Sequence, residues 1–385
     1  MIRDIRRGRS YRWVAQRYGV GLATVARWVN RTNNQRLDRT DLSDRPGGHS
    51  RALNRTDAAM EELVLTVRSR LKQHSDLGEW GAVAIHRELV AQGVAQVPSV
   101  RTIGRIVVRR GAVERRYRLR RPAPRPGWYL PPVASGRLEL DSFDIVEGLA
   151  IRGGPGFELF NGISLHGALA DTHVQPWGCT ARTVLTACLV HWQRHGLPAY
   201  AQFDNDSRFL GPHSRADVIS RVMRLCLALG IIPVFAPPRE TGFQAAIEHY
   251  NGLWQAKVWR RFVFASLAEV QAQTARFLAA RALQLARRIA EAPPRPPIPS
   301  MWRLDLQQPL RGQIIFLRRS DDQGHVSMLG RRFRVDRHWV NRLVRCTLDL
   351  STQVMYFHGL SRRNPTAQPL MGQASYTIAD KRFHE

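Results

Sequence analysis

Lysine is nearly missing from this 385-residue chain: only Lys72, Lys257 and Lys381 occur, so arginine supplies almost all of the 58 basic residues. Acids are scarce as well, 31 in all, which leaves a formal net charge of +27. A GC-rich coding sequence accounts for the arginine preference, but the charge itself calls for a polyanionic partner, because a surface that neutralises phosphates releases their condensed counterions. Nucleic acid is the expected partner. No uncharged apolar run of about 18 residues occurs, so no membrane-spanning helix is expected. The basic start MIRDIRRGRS has no apolar segment behind it and does not read as a secretory signal. Cysteine is limited to Cys179, Cys188, Cys226 and Cys346 without a CxxC pair, too few for a disulfide scaffold and consistent with a reducing cytoplasm.

With 44% hydrophobic residues the chain is globular, and its length predicts several domains. Residues 10–31, SYRWVAQRYGVGLATVARWVNR, predict two short helices, the first capped by Ser10 and turned by Gly19. Ala15, Gly19 and Val25 stand at offsets 0, +4 and +10, the spacing of a helix-turn-helix, which would present Thr24, Arg27 and Arg31 to a DNA groove. Gly78 to Gly111 repeats the pattern, with a helix ending near Gly93 and another starting at Pro98-Ser99 that leaves Arg101, Thr102, Arg105 and Arg109 outside. The predicted organisation is a helix-turn-helix module in residues 1–50 and a second in 51–115. A basic Pro-rich linker follows in 116–135, then an α/β domain in 136–291. A second Pro-rich linker is expected in 292–310, and a small β-barrel with its tail in 311–385.

Within the α/β region Asp141 lies in the strand-like LELDSFD, Asp204 and Asp206 follow AYAQF, and Glu248 lies in the helix-like AAIEHYNGLWQAKVW. Carboxylates from separate elements that meet at one sheet edge suit a hard divalent cation, Mg²⁺ or Mn²⁺, and two such ions about 4 Å apart suit in-line displacement at phosphorus. On the helix around 180–195, Cys188, His191 and His195 share one face. Three ligands fall short of a closed zinc site, and the amphipathic pattern explains the spacing, so a metal is expected elsewhere. Asn251 and Lys257 follow Glu248 on its helix and are candidate DNA contacts, with Arg239 and His249 as further ones. Trp254 and Trp259 are expected to pack in the core.

The residues LELD ending at Asp141, FDND at Asp204 and EHYN from Glu248 to Asn251 resemble the signatures of the DDE-type integrase/transposase superfamily, most closely bacterial insertion-sequence transposases with an integrase catalytic core. The resemblance implies an RNase H-like core with two metal ions held by Asp141, Asp204 and Glu248, helix-turn-helix modules before it and an SH3-like barrel after it. It also implies cleavage at element ends and strand transfer into target DNA, a dimer or higher oligomer on DNA, and a bacterial, nucleoid-associated location. Three departures stand out. Leu138 replaces an aromatic before the first acid, which leaves Asp144 as a rival ligand. Asp206 replaces a glycine. The interval from Asp204 to the third acid would by length favour Glu240, but PPRETG predicts a loop, whereas Glu248 has a helix to direct it. The alternative functions are a non-catalytic DNA-binding regulator with a degenerate core, or a metal-dependent nuclease without strand transfer.

Overall fold

The computed structural model describes residues 1–32, 35–38, 40, 43, 56–112, 126–212 and 216–378. The chain divides into two units, Met1–Met60 and Glu61–Glu385. In the first, helices α1 (Ile2–Arg6), α2 (Tyr11–Tyr18) and α3 (Leu22–Thr32) close over Val14, Ala15 and Val25. The Ser10 hydroxyl accepts the Trp13 N–H at the start of α2, and Gly19 ends it with φ 63°. That left-handed conformation is easy only for glycine, so the turn between the two helices is set locally.

The second unit begins with α4 (Ala58–His74), α5 (Ala82–Ala91) and α6 (Val100–Arg109). Val64 and Val67 pack with Ile85, Leu89, Ile103, Ile106 and Val107. Ser99 caps α6 by accepting the Thr102 N–H. After a short helix α7 (Pro131–Ala134) come β1 (Leu140–Ala150), β2 (Gly156–Ser164) and β3 (Ala170–Gln175), then α8 (Ala181–His195), β4 (Tyr200–Phe203), α9 (Ser207–Leu210), α10 (Arg221–Ala228) and β5 (Ile232–Phe235). Helix α11 (Ala245–Trp254) runs into a π-helical turn, Gln255–Trp259, followed by α12 (Leu267–Gln284) and α13 (Ala286–Ala290). The last strands are β6 (Gln313–Arg319), β7 (His325–Met328), β8 (Arg331–Arg334), β9 (Leu343–Asp349), β10 (Val354–Leu360) and β11 (Leu370–Ser375).

Nine strands form one sheet in the order β11-β10-β9-β6-β5-β4-β1-β2-β3, and β7 pairs with β8 alone. The strands β1, β2 and β3 are mutually antiparallel, whereas β4 runs parallel to β1 and β5 to β4. This is the mixed α/β core that the alternating pattern predicts. A row of rings crosses five adjacent strands: Phe160 stacks on Phe143 at 5.5 Å, Phe143 on Phe203 at 5.3 Å, and Phe235 on Phe316 at 5.3 Å, with Phe203 and Phe235 6.0 Å apart.

That row corrects the expected separate C-terminal barrel. Strand β6 joins β5 in parallel, Phe235 opposite Phe316, and β9, β10 and β11 continue the same sheet. Ile314, Ile315, Phe316 and Leu317 are all buried; a strand apolar on both faces finds its place inside a covered sheet. The Pro-rich stretches are likewise not free linkers where they are described. Trp128, Tyr129 and Leu130 are buried, and the Tyr129 hydroxyl donates to the Phe243 carbonyl at 3.1 Å. Residues 116–125 of the first expected linker lie outside the described residues. In the second, Pro296 accepts the Leu197 N–H at 2.8 Å, which brings Arg295 into the core.

There Arg295 meets Asp141. Its two guanidinium nitrogens donate to the two carboxylate oxygens at 2.7 Å each, and Trp192 Nε1 adds a third bond at 3.1 Å. Asp141 is fully buried. Removing one partner of such a pair leaves an uncompensated buried charge. Arg295→Ala is therefore expected to lower the unfolding free energy by about 3–5 kcal/mol, read from urea denaturation. The double variant Asp141→Asn, Arg295→Met should be more stable than Arg295→Ala; an unchanged urea midpoint in Arg295→Ala would show that the pair does not hold the segment.

Candidate metal and nucleic-acid site

Asp141 does not reach a site open to solvent. Burial opposes its ionisation, but Arg295 and His191 outweigh burial and hold its carboxyl well below the usual range. Every oxygen is engaged by Arg295 or Trp192, so the sequence expectation of a metal ligand at Asp141 is corrected: its strand face turns toward α8. Side chains alternate along a strand, and an odd separation of three places Asp144 on the other face.

On that face Asp144 lies within electrostatic reach of two further acids, Asp204 and Glu248, although the three carboxylates do not all fall within 4.8 Å of one another. The parallel pairing of β1 and β4 matches Leu140 with Tyr200, Asp141 with Ala201 and Ser142 with Gln202. The same register carried two steps on sets Asp144 beside Asp204, just past the end of β4. Across the β1–β2 ladder Asp144 stands opposite Asn161. Asn161 Nδ2 donates to Asn251 Oδ1 at 2.8 Å, and Asn251 Nδ2 donates to Asp144 Oδ2 at 2.6 Å. Asn251 and Glu248 lie three residues apart on α11, hence on one helix face. Asn251 is thus a positioning residue for Asp144 and not the DNA contact expected from sequence.

The electrostatics of the three acids are unusual in so basic a chain. Burial, followed by the charge of Asp204 and, less strongly, that of Glu248, pushes the Asp144 carboxyl up to about 6, against the hydrogen bonds from Ile145 and Asn251. Asp204 is raised too, by burial first and by Asp206 and Glu147, although the Asp206 N–H donates to its Oδ1 at 2.9 Å. Glu248 is exposed in the first turn of α11 and makes no ion pair among the described residues. Asp204 and Glu248 both repel Asp144, and three carboxylates without an ion pair among the described residues form an oxygen donor set suited to a hard divalent cation.

The other acids near this edge are neutralised. Asp206 caps α9 by accepting the Arg208 N–H at 2.8 Å and binds the Arg208 guanidinium through both oxygens. It is a turn residue. Glu240 sits in a turn, paired with Arg319 and, at 3.6 Å, with Arg362.

The expected DNA contacts separate into exposed and occupied groups. Arg27 on α3 and Arg101 and Arg105 on α6 are exposed, and Thr24 is half-buried. Thr102 shares a hydrogen bond with Ser99, 3.0 Å between hydroxyls. Arg31 lies over the Trp28 ring at 4.9 Å. Lys257 is the second correction: its ammonium donates to the Gly78 carbonyl and lies 4.8 Å above the Trp80 ring. With Arg261, which donates to the Ser75 and Gln73 carbonyls, it fastens the α4–α6 helices to the core. No spacing in the sequence announces this contact, nor those of Asn161 and Arg295.

Comparison with known proteins adds the following. A family described as a homeodomain-like domain matches residues 24–107. No curated protein matches the chain. Among solved structures, the catalytic core domain of HTLV-2 integrase in complex with magnesium is 12% identical and covers 40% of this chain and 87% of that one, TM-score 0.28. The catalytic core domain of BIV integrase is 18% identical over 37% of this chain and 81% of that one, TM-score 0.26. A chain of the simian T-cell lymphotropic virus intasome, in complex with PP2A regulatory subunit B56 gamma, is 12% identical over 81% and 98%, TM-score 0.36.

One consequence concerns stability. With a carboxyl pKa near 6 when folded and 3.8 as the ordinary value, the native state binds more protons than the unfolded one between these values, so stability falls as pH rises through the window. Asp144→Asn removes that repulsion and is expected to stabilise the metal-free protein by about 1–3 kcal/mol at pH 7.5. The gain should vanish near pH 4, where the wild-type carboxyl is protonated in the native state. An equal gain at both pH values in thermal unfolding would sink the repulsion argument.

Proposed function

We propose that this protein is a DNA transposase that binds the ends of a mobile element, cleaves there and transfers the freed 3′ end into target DNA. The observation that carries this is the convergence of Asp144, Asp204 and Glu248 in a chain of net charge +27. Asp144, Asp204 and Glu248 would hold Mg²⁺ or Mn²⁺, expected as two ions, which supply the positive charge that polarises a phosphodiester and acidifies the attacking hydroxyl.

The remaining roles belong to side chains of the protein. Asn161 fixes the orientation of the Asn251 amide, so that its N–H points to Asp144 and holds one carboxylate oxygen in place. The Asp206 N–H does the same for Asp204. Glu248, on an exposed helical turn, is the acid left free to adjust when a phosphodiester enters. Arg27, Arg101 and Arg105 bind backbone phosphates, and Thr24 on α3 faces a groove, as in other helix-turn-helix proteins. Because each active site serves one DNA end, a dimer or higher oligomer assembles on DNA.

Purified protein is to be incubated with labelled element-end DNA, target plasmid and Mg²⁺. Joined products are expected from the wild type, and Asp144→Asn, Asp204→Asn and Glu248→Gln should abolish them while leaving DNA binding within about twofold, since no phosphate contact is removed. Glu240→Gln should remain active. Cleavage without joining would make the protein a nuclease, and binding alone a regulator. For the interface, Arg27→Ala and Arg105→Ala should each weaken DNA binding and lower the slope of log affinity against log salt by about 1. Lys257→Ala should leave that slope unchanged; a reduced slope there would restore Lys257 as a phosphate contact.

A further inference from the structure

On the sheet face opposite Asp144, β3 and α8 bring together a different set of ligating groups. His191 and His195 stand one helical turn apart on α8. Asp171 Oδ2 lies 2.8 Å from His191 Nδ1 and 2.8 Å from His195 Nε2. The ligating atoms of these three residues all fall within 4.8 Å of one another. Two positions along β3, and so on the same strand face as Asp171, His173 has a buried Nε2 with no hydrogen-bond partner. His173 lies within the electrostatic reach of Asp171, His191 and Arg194. His173 stands outside that 4.8 Å group and beside it on β3, so three imidazoles and a carboxylate come from two elements packed against each other.

We propose that Asp171, His191 and His195, with His173 turning in from β3 as the fourth ligand, form a second metal site that takes a zinc-class divalent ion. Imidazole nitrogens with a single carboxylate suit a borderline ion such as Zn²⁺, whereas Mg²⁺ prefers oxygen throughout. The outer shell approaches the form such sites use: the other nitrogen of His191, Nε2, lies 3.3 Å from Asp141 Oδ2, off the geometry of a hydrogen bond, and Arg295 holds that carboxylate from behind. A carboxylate behind a ligating histidine fixes its ring and tautomer. Arg194 competes for Asp171 Oδ1, but its side chain is 58% exposed and is free to turn to water when the ion is bound.

The proposed site differs from the sequence expectation that a metal lies elsewhere than on this helix. Cys188 takes no part, being fully buried in the apolar core; β3 supplies Asp171 and His173 in its place. The ion acts as a staple between the edge strand and α8, and through Asp141 it steadies the strand that carries Asp144. This role does not depend on the transposase reading.

The test uses the full chain, stripped with a chelator, loaded with Zn²⁺ alone and dialysed. Wild type and Asp144→Asn should each retain one equivalent by elemental analysis, and Zn²⁺ should raise the melting temperature by about 5 °C at a metal concentration near 100 times Kd. His195→Ala and His173→Gln should each lose the retained metal and the thermal gain. Should His195→Ala fail to fold, His173→Gln and the visible spectrum of Co²⁺-loaded wild type decide the matter, since four N/O ligands in a tetrahedral site give a Co²⁺ band that an octahedral site lacks. No retained Zn²⁺ in wild type, retention in His173→Gln, or loss in Asp144→Asn would each overturn the proposal, the last by moving the ion to the carboxylates.

Discussion

Asp141 and Arg295 hold each other through two hydrogen bonds inside the core, and the surrounding architecture depends on that pair. A buried carboxylate of this kind is tolerable only with a charged partner in good geometry, so the segment after α13 must cross beside α8 to deliver the guanidinium. Once it does, the chain is positioned to add β6 alongside β5. Phe316 then extends the row of rings that starts at Phe160, and the C-terminal strands become part of the same sheet.

The same strand separates two kinds of acid. Asp141 faces α8 and is neutralised; Asp144 faces α11 and is not. Asp206 and Glu240 likewise have arginine partners. In a chain with nearly two basic residues for every acid, leaving Asp144, Asp204 and Glu248 without an ion pair among the described residues is an arrangement that electrostatics alone disfavours. A cation reverses the sign of that interaction, which is why the cluster reads as a site and the paired acids as structure.

Much of the local design was legible in the residues. Ser10, Gly19 and Ser99 act where capping and turn chemistry place them, because those preferences depend on a few adjacent residues. The turn role of Asp206 and the helix beneath Glu248 follow for the same reason. The motif around Asp141 was legible only in part: its acids were visible, but the choice between Asp141 and Asp144 turns on which face of β1 meets α11, and a strand's sequence does not state what covers each face. Nor does a polar helix show that Lys257 will reach back to Gly78, 179 residues earlier.

By itself, then, the sequence determined the basic charge, the helix-turn-helix spacing and the supply of acids in an α/β region, all properties of composition or short-range geometry. Tertiary structure alone decided which acids are paired with arginine and which confront one another. It also decided that Asn251 serves Asp144 and that the last strands join the first sheet. Those outcomes rest on contacts between residues far apart in the chain, where burial and pairing, set by packing, outweigh local preference.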